Sequence, residues 1–524
     1  MLAARSESVI ERELRFTSDD VQLFAAASGD CNPLHLDAEF CRQTSFGVRI
    51  VHGALVAIGL LGLVPADELA RMRSLRFWFG GAVLLDSPYA ARASASEKRP
   101  GAWEVRLTGR GKVLTRVVAL TDGRAFSRSP HHAPAASAEL DHGAEARAMR
   151  TAPQAIRVEQ LEPGHTISGR YCAGPELLDV AARFGAPLEP ALLEGLAWAS
   201  YVVGMEIPGL HALFAGLTLT ASDDAADDTP AARQTITLRG YDDRAGRVLL
   251  DGVLSADSGA PRCFAAIDAF DLPPVPTLDP EALGISDSPH ERAGAVVVIG
   301  GSRGFGAALT LALLGRGFEV HGVYAGSADA AADLVRLAGP HRSKLHMHRF
   351  DAGDPDAVQA LVEDLRAADT PVVGLVLNAA PAPLAMGVTS GSGIELADYV
   401  ADSLRLVAVP LGALLPIVSE ASGWIVFCSS AAVTAPPREW PHYVTAKSAL
   451  EGLAAWVAAA APEIKTVVLR PPAMRTGMTN TPSGRIASLA PERIATWIAD
   501  RISTGELPAG LSLQDPCSPE LGTP

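Results

Sequence analysis

Cysteine is scarce. The 524 residues contain six, none in a CxxC pair, so neither a disulfide framework nor a zinc knuckle is expected, and no metal ligands are assigned. Long apolar runs are missing too. No stretch of about eighteen uncharged apolar residues occurs, and the opening MLAARSESVIEREL lacks the apolar core of a signal peptide. A cytoplasmic protein with no membrane partner is therefore the expectation. Positive charge is short as well: 44 Lys and Arg face 59 Asp and Glu, for a net charge of -15. That balance repels nucleic acid and anionic membrane alike, and leaves small molecules as the favoured partners. What the chain has is apolar material, 48% of its residues, over a length expected to fold as three or four domains.

The stretch from Ser429 to Lys447, SSAAVTAPPREWPHYVTAK, combines a phenol with a fixed cation, since Tyr443 and Lys447 stand four apart. The apolar recurrence Leu450, Leu453, Trp456, Val457 predicts a helix from about Tyr443, which puts both side chains on one face. A free phenol titrates near pH ~10 and is a poor acid at neutrality unless a nearby ammonium stabilises its anion. Lys447 is placed to do this. Ser430, thirteen positions before Tyr443, follows the run WIVFC. That run predicts a buried parallel strand, at whose carboxyl end ligands bind. Earlier, AVVVIG predicts another buried strand, and GGSRGFGAALTLALLGRG a glycine turn into a helix whose first amides can meet a pyrophosphate.

Ser430 followed by YxxxK, together with Gly300, Gly304 and Gly306 in the pattern GxxxGxG, resembles the short-chain dehydrogenase/reductase family over roughly residues 295–502. The resemblance implies a Rossmann-like, doubly wound α/β domain with a parallel sheet. It implies that Tyr443 exchanges the proton of the reacting oxygen, that Lys447 holds the nicotinamide ribose and tunes Tyr443, and that Ser430 orients the carbonyl. Cofactor contacts are implied at Gly300, Ser302, Arg303, Gly304, Phe305, Gly306, Asp351, Asn378 and Thr476, beside Tyr443 and Lys447. The chain departs from the family pattern at Ile299, where a threonine is usual, at Leu377 and Ala380 around Asn378, at Ser403 in place of a catalytic asparagine, and at Pro472 in place of glycine. Arg303, and a strand EVHGVYAGS that ends without an acidic residue, favour NADPH over NADH. A homodimer through this domain is a further expectation.

Near the other end, FTSDDVQLFAAASGDCNPLHLDAEF predicts a helix capped at Thr17 or Ser18 and then a loop, because Pro33 blocks helix through Asn32. The loop presents Asp30 and His35. A carboxylate and an imidazole five residues apart in an Asn-Pro turn can converge on one water or hydroxyl, the pairing that general acid/base chemistry needs. FGVRIVHGALVAIGLLG then predicts a helix starting at His52 and Gly53, whose free amides can hold a thioester oxygen as enolate charge develops. The strings ASGDCNPLHLDA and IVHGAL resemble MaoC-like (R)-specific enoyl hydratases and dehydratases over about residues 10–125. That resemblance implies a hot-dog fold, Asp30 and His35 as the catalytic pair, and the Gly53 amide as an oxyanion donor.

From about Ala155 to Asp271 the order of elements recurs, with a helix ALLEGLAWASYVVGM and strands near FAGLTLTAS, RQTITLRGY, RVLLDGVLSA and RCFAAIDAF. The second copy lacks the Asp-x-Asn-Pro-x-x-His string, so it reads as a degenerate half that packs on the first, with His165 and His211 structural. The expected fold is therefore an α+β double hot-dog fused to a Rossmann-like α/β domain. Its expected boundaries are a catalytic hot-dog at 1–130, a linker at 131–152 carrying His131 and His132, and a second hot-dog at 153–271. A linker with five prolines follows at 272–294, then the reductase at 295–510 and a tail at 511–524, with poor order from about Arg501. The expected function is consecutive: a 3-oxoacyl thioester, on acyl carrier protein or coenzyme A, is reduced with NADPH to the (R)-3-hydroxyacyl thioester and dehydrated to the trans-2-enoyl thioester. The alternatives are the same parts run in the β-oxidation direction, a monofunctional reductase with an acyl- or carrier-binding hot-dog module, and a hydratase with a structural or cofactor-sensing reductase domain.

Overall fold

The computed structural model describes residues 9–97, 99–122, 147–223, 231–272, 274–286, 292–368, 370–482, 484, 488–514 and 516. The chain divides into two units, Met1–Cys41 with Val48–Pro274 and Arg42–Gly47 with Val275–Pro524.

The first unit begins with β1 (Val9–Leu14), α1 (Ser18–Ser28), the short helices α2 (Pro33–Leu36) and α3 (Ala38–Arg42), α4 (Gly53–Leu61) and α5 (Ala66–Leu69). The strands β2 (Ser74–Phe79), β3 (Tyr89–Ala95), β4 (Ala102–Gly109) and β5 (Lys112–Leu120) follow. It continues with β6 (Thr166–Tyr171), α6 (Glu176–Phe184), α7 (Pro190–Tyr201), one π-helical turn at Val202–Glu206, then β7 (Ala212–Ala221), β8 (Ala232–Asp242), β9 (Arg247–Ala256) and β10 (Pro261–Asp271). All ten strands form one antiparallel sheet in the order β1-β3-β4-β5-β2-β7-β10-β9-β8-β6. Cut between β2 and β7, it gives two five-stranded halves with the same internal order, so β1 corresponds to β6 and β2 to β7. The halves expected as separate domains thus share a sheet and a core.

That core is built around α4 and α7. From Ala54 to Leu61 every residue of α4 is buried, as are ten of the twelve in α7. A helix that is apolar on all sides is stable only when wrapped, and the inward residues of the alternating strands do the wrapping. Each fully buried Leu, Ile or Phe of this cluster contributes about 1.5–3 kcal/mol relative to its exposed state. Trp198, fully buried on α7, satisfies its indole by donating to Gln234 Oε1 at 2.8 Å. The expected linker with His131 and His132 lies for the most part outside the described residues. Its last members are anchored: Arg147 and Arg150 both pair with the buried Glu206, Arg150 Nε at 2.8 Å.

The second unit is a parallel sheet with β11 (Ala295–Ile299), β12 (Glu319–Tyr324), β13 (Leu345–Arg349), β14 (Val372–Leu377), β15 (Trp424–Cys428), β16 (Lys465–Leu469) and β17 (Gly510–Gln514). Its helices are α8 (Gly304–Gly315), α9 (Ala328–Leu337), α10 (Pro355–Ala367), α11 (Gly393–Glu420), α12 (Pro441–Ala460) and α13 (Pro491–Thr504). The strand order is β13-β12-β11-β14-β15-β16-β17. β11 and β15 are buried at every position, as strands covered by helices on both faces must be. The order reverses between β11 and β14, and ligands bind outside the carboxyl ends of strands at such a switch point.

Three stretches differ from their sequence reading. Residues expected as a poorly ordered tail form the end of α13 and the edge strand β17, which pairs with β16 from Lys465↔Gly510 to Leu469↔Gln514. β17 is short and half exposed, so its composition carries little strand signal. Within the proline-rich linker, Leu283 and Ile285 are buried in the core of the second unit. Finally, α11 is long and apolar enough, by length and composition, to cross a membrane. Here its stripe of Val407, Leu411, Leu414 and Val418 is buried in a core shared with β14 and α12.

Candidate functional site

The acid/base pair of the first unit is set by the end of α1. Thr17 and Asp20 form a capping box that starts the helix, and Gly29 ends it in the left-handed region at φ 73°. Asp30 follows, 2% exposed. Its carboxylate accepts from Ser200 Oγ at 2.7 Å and from the Asn32 amide at 3.2 Å. His35, on α2, donates from Nδ1 to the Ile50 carbonyl at 2.8 Å, which leaves Nε2 available for chemistry. A carboxylate oxygen of Asp30 and ring nitrogens of His35 and His52 all lie within 4.8 Å of one another.

Burial pushes the Asp30 carboxyl up from its ordinary value, against His35, Ser200 and the Asn32 amide, which pull it down. Burial also pushes His35 down, against the attraction of Asp30. Burial thus favours the neutral form of each group, in opposition to their mutual attraction.

Sequence reasoning named Asp30, His35 and Gly53 as candidates; the structure adds four neighbours to which it gave no side-chain role. His52 donates from Nε2 to the Asp30 carbonyl at 3.1 Å and stacks on His35 with 3.7 Å between ring centroids. Asn32 donates from Nδ2 to the carbonyls of Gly204 and Gly209, each at 3.0 Å, and so ties the loop of Asp30 and His35 to the second half. Ser200 and Gly204 come from α7 and its π-helical turn, a feature that often marks functional sites. A Cβ at Gly204 would sit 2.1 Å from Asp30 Oδ1, so only glycine fits there. The half without its own catalytic string therefore completes the site of the other. Gly53 is the first residue of α4 with His52 as its N-cap, and the first amides of a helix have no intrahelical acceptor. A Cβ at Gly53 would meet the Phe79 ring at 3.2 Å, so the ring packs close to this residue on the side a side chain would take.

In the second unit, Ser430 follows β15 and accepts from the Ala432 amide at 3.1 Å, opening a short 3-10 turn. Tyr443 and Lys447 lie one turn apart on α12, 9% and 7% exposed. Lys447 Nζ sits 5.7 Å from the centroid of the Tyr443 ring and donates to the Cys428 carbonyl at 2.7 Å. The buried ammonium is thus fixed against the end of the strand that carries Ser430. A polar clamp missed in the sequence supports this corner. Glu451, one turn beyond Lys447, accepts from Ser429 Oγ at 2.6 Å and pairs with Arg470 Nη2 at 2.6 Å, joining α12 to the ends of β15 and β16. Ser403 donates to the Tyr399 carbonyl of its own helix at 2.7 Å.

The glycine turn is built to let another group approach the backbone. Gly300 holds φ 81°, a conformation that side-chain-bearing residues avoid. A Cβ at Gly306 would lie 1.9 Å from the Gly300 carbonyl. Asn378 secures the turn, its amide donating to Ile299 O at 3.1 Å and its Nδ2 to Gly300 O at 3.0 Å. Ile299 is itself a buried member of β11, and Thr310 Oγ1 donates to Gly301 O at 3.2 Å, so the turn is braced without the usual threonine. Arg303 is the exposed N-cap of α8, and Thr476 stands 3.5 Å from where a Gly304 Cβ would be. A pyrophosphate fits this glycine-lined helix start.

Two of the residues assigned to the cofactor also serve the protein's own packing and loop structure. The Phe305 side chain is buried in the core, so only its amide faces the helix start. Asp351 bonds its own loop, accepting from the Gly353 amide at 2.8 Å.

Two family models match this chain. Residues 4–117 match the family model described as MaoC like domain, and residues 294–485 match that of short chain dehydrogenase. The (R)-specific enoyl-CoA hydratase of Aeromonas caviae is 53% identical over 51 residues, 9% of this chain and 38% of its own length. The 3-hydroxybutyryl-CoA dehydratase of Methylorubrum extorquens is 43% identical over 61 residues, 12% of this chain and 37% of its own. The chain thus spans under two fifths of the length of either relative. An alcohol dehydrogenase from the archaeon Thermococcus sibiricus, solved in complex with 5-hydroxy-NADP, is 21% identical and covers 43% of this chain and 96% of its own, with a TM-score of 0.38. This chain joins a MaoC-like domain in its N-terminal part to a short-chain dehydrogenase domain in its C-terminal part.

Proposed function

We propose that the chain is a bifunctional enzyme that reduces a 3-oxoacyl thioester to the (R)-3-hydroxyacyl thioester and dehydrates that product to the trans-2-enoyl thioester, in fatty-acid or polyketide-type biosynthesis. The observation that carries this reading is two differently built acid/base centres on one chain. One is Asp30 and His35 converging within 4.8 Å; the other is Tyr443 beside a buried Lys447. In the reductase domain Ser430 orients the ketone, and the Tyr443 phenol protonates its oxygen as the C3 carbonyl becomes an alcohol. A bound nicotinamide supplies the hydride. In the hot-dog unit the Gly53 amide holds the thioester oxygen while Asp30 and His35 remove the C2 proton and protonate the departing C3 hydroxyl, so that water leaves. Both relatives named above carry coenzyme A in their names, which supports a thioester substrate on coenzyme A or acyl carrier protein. Incubation with NADPH and 3-oxoacyl thioesters on each carrier, followed by mass spectrometry, should show the enoyl product. Finding neither the hydroxyacyl nor the enoyl species on any thioester would refute the reading.

NADPH is the proposed cofactor, held by Gly300, Ser302, Gly304, Gly306, the Phe305 amide, Asn378, Thr476 and Lys447, with Asp351 near the adenine. Arg303 provides the cation for the 2′-phosphate, and β12 leads into Ala325 and Gly326 with no acid. A charge-assisted contact of this kind is worth about 1.5–3 kcal/mol. Arg303→Ala should then weaken NADPH binding about ten-fold or more and leave NADH binding little changed. Equal losses for the two cofactors in a fluorescence titration would remove the assignment.

The same reading pairs two copies through the reductase domain. Trp456, on α12, is 58% exposed, an unusual setting for a large aromatic side chain. Light scattering should give twice the chain mass of 54.6 kDa, and Trp456→Glu should return it to one. A wild-type monomer at micromolar concentration would contradict this.

A further inference from the structure

At the edge of the parallel sheet, away from the strand that carries Ser430, four polar side chains share one face. β12 and β13 pair with His321 opposite His346, and directly paired residues of a parallel sheet point the same way. Glu319 is two before His321 and His348 two after His346, so both join that face. Glu319 Oε1 lies 3.0 Å from His346 Nε2 and 3.4 Å from His321 Nε2. In a tetrahedral zinc site with bonds of about 2.0–2.1 Å, ligand atoms stand about 3.3 Å apart. The two distances from Glu319 are already close to that value, and all three ligand atoms lie within 4.8 Å of one another.

The fourth residue supplies what such a site needs behind its ligands. His321 Nδ1 is 3.0 Å from His348 Nε2, and the two rings stack with 15° between their planes. With the proton on His321 Nδ1, that bond leaves the Nε2 lone pair facing Glu319 and His346, the arrangement by which a second imidazole fixes the tautomer of a ligating histidine. The side chains of His346 and Glu319 are 42% and 30% exposed against 10% for His321, which leaves an approach from solvent to a buried base.

We propose that Glu319, His321 and His346 bind one divalent transition-metal ion of the zinc type, with His348 holding His321 in its ligating form and water completing the tetrahedron. The ion clips the edge strand β13 to β12.

The test uses the untagged full chain, stripped with a chelator and titrated with Co2+ and then Zn2+. Wild type should take up one Co2+ with the visible absorption of a tetrahedral site, and Zn2+ should displace it. His346→Ala and Glu319→Gln should each abolish that band while the circular dichroism and NADPH binding stay native. His348→Ala should keep the stoichiometry and weaken affinity about 10–100-fold. The other group of nearby donors, Asp30 with His35 and His52, supplies the control, and Asp30→Asn with His35→Ala should leave the band intact. The proposal falls if wild type shows no saturable Co2+ band, if folded His346→Ala keeps it, or if it disappears with the Asp30 and His35 substitutions instead.

Discussion

Asp30→Asn combined with His35→Ala should stop dehydration while reduction continues, so that NADPH is still consumed and the (R)-3-hydroxyacyl thioester accumulates. A positioned acid or base contributes about 10²–10⁴-fold, and the double substitution removes both members of the pair. The asparagine keeps an oxygen for the Ser200 hydroxyl and is isosteric with aspartate, so the corner around Gly204 need not move. The two centres belong to separate structural units, Asp30 in the first and Tyr443 in the second. Product analysis on a chiral column decides the outcome. Accumulation of the (S) epimer would mean that the reductase makes an alcohol the hot-dog site cannot eliminate, and the consecutive scheme would be wrong. Ser200→Ala is the graded version of the same experiment. The Ser200 hydroxyl lowers the pKa of Asp30 by bonding its charged form. Its loss should therefore move the limb of the dehydration pH profile governed by Asp30 to higher pH and reduce kcat about ten-fold at neutrality, from a bond worth about 1.5–3 kcal/mol. His35 keeps its bond to Ile50, so the other limb should stay.

The loop that carries Asp30 and His35 was legible because its determinants are local. Thr17 fixes the start of α1, Gly29 its end, and Asn32 and Pro33 the start of α2, all through local bonds, and Asp30 and His35 go where that backbone takes them. Ser200 and Gly204 could not be read in this way. They meet Asp30 only because two halves with the same strand order close on one another through β2 and β7, and no spacing rule links positions 170 residues apart. An internal repeat whose second copy has lost its own catalytic string is the signal that could have pointed to α7, since the degenerate copy is free to serve its partner's site.

A similar limit applies in the second unit. Ser430, Tyr443 and Lys447 are a spaced set on one strand end and one helix. Glu319 and His346 stand on neighbouring parallel strands, whose register no local pattern reveals. Ser403 bonds back to its own helix and Lys447 bonds the Cys428 carbonyl, so the ammonium is positioned by the strand end and not by an asparagine on α11.

On the proposed function, Tyr443 is the group on which reduction depends. Tyr443→Phe should lower reduction about 10²–10⁴-fold, because no acid remains to protonate the alkoxide. The change removes one oxygen and no volume, so the ring keeps its edge contact with Trp440 at 5.6 Å and Lys447 keeps its bond to Cys428. NADPH binding, followed by fluorescence, should therefore be retained, which separates a chemical defect from a lost cofactor. Lys447→Met should behave differently. It leaves a buried carbonyl without its donor and withdraws the cation from both the ribose and the phenol, so binding and turnover should fall together. In Tyr443→Phe, an added (R)-3-hydroxyacyl thioester should still be dehydrated at the wild-type rate. Normal reduction by Tyr443→Phe would dismiss the phenol as the acid. Loss of dehydration in a folded Tyr443→Phe chain would show that one centre serves both reactions, and the division of labour between Asp30 and Tyr443 would have to be abandoned.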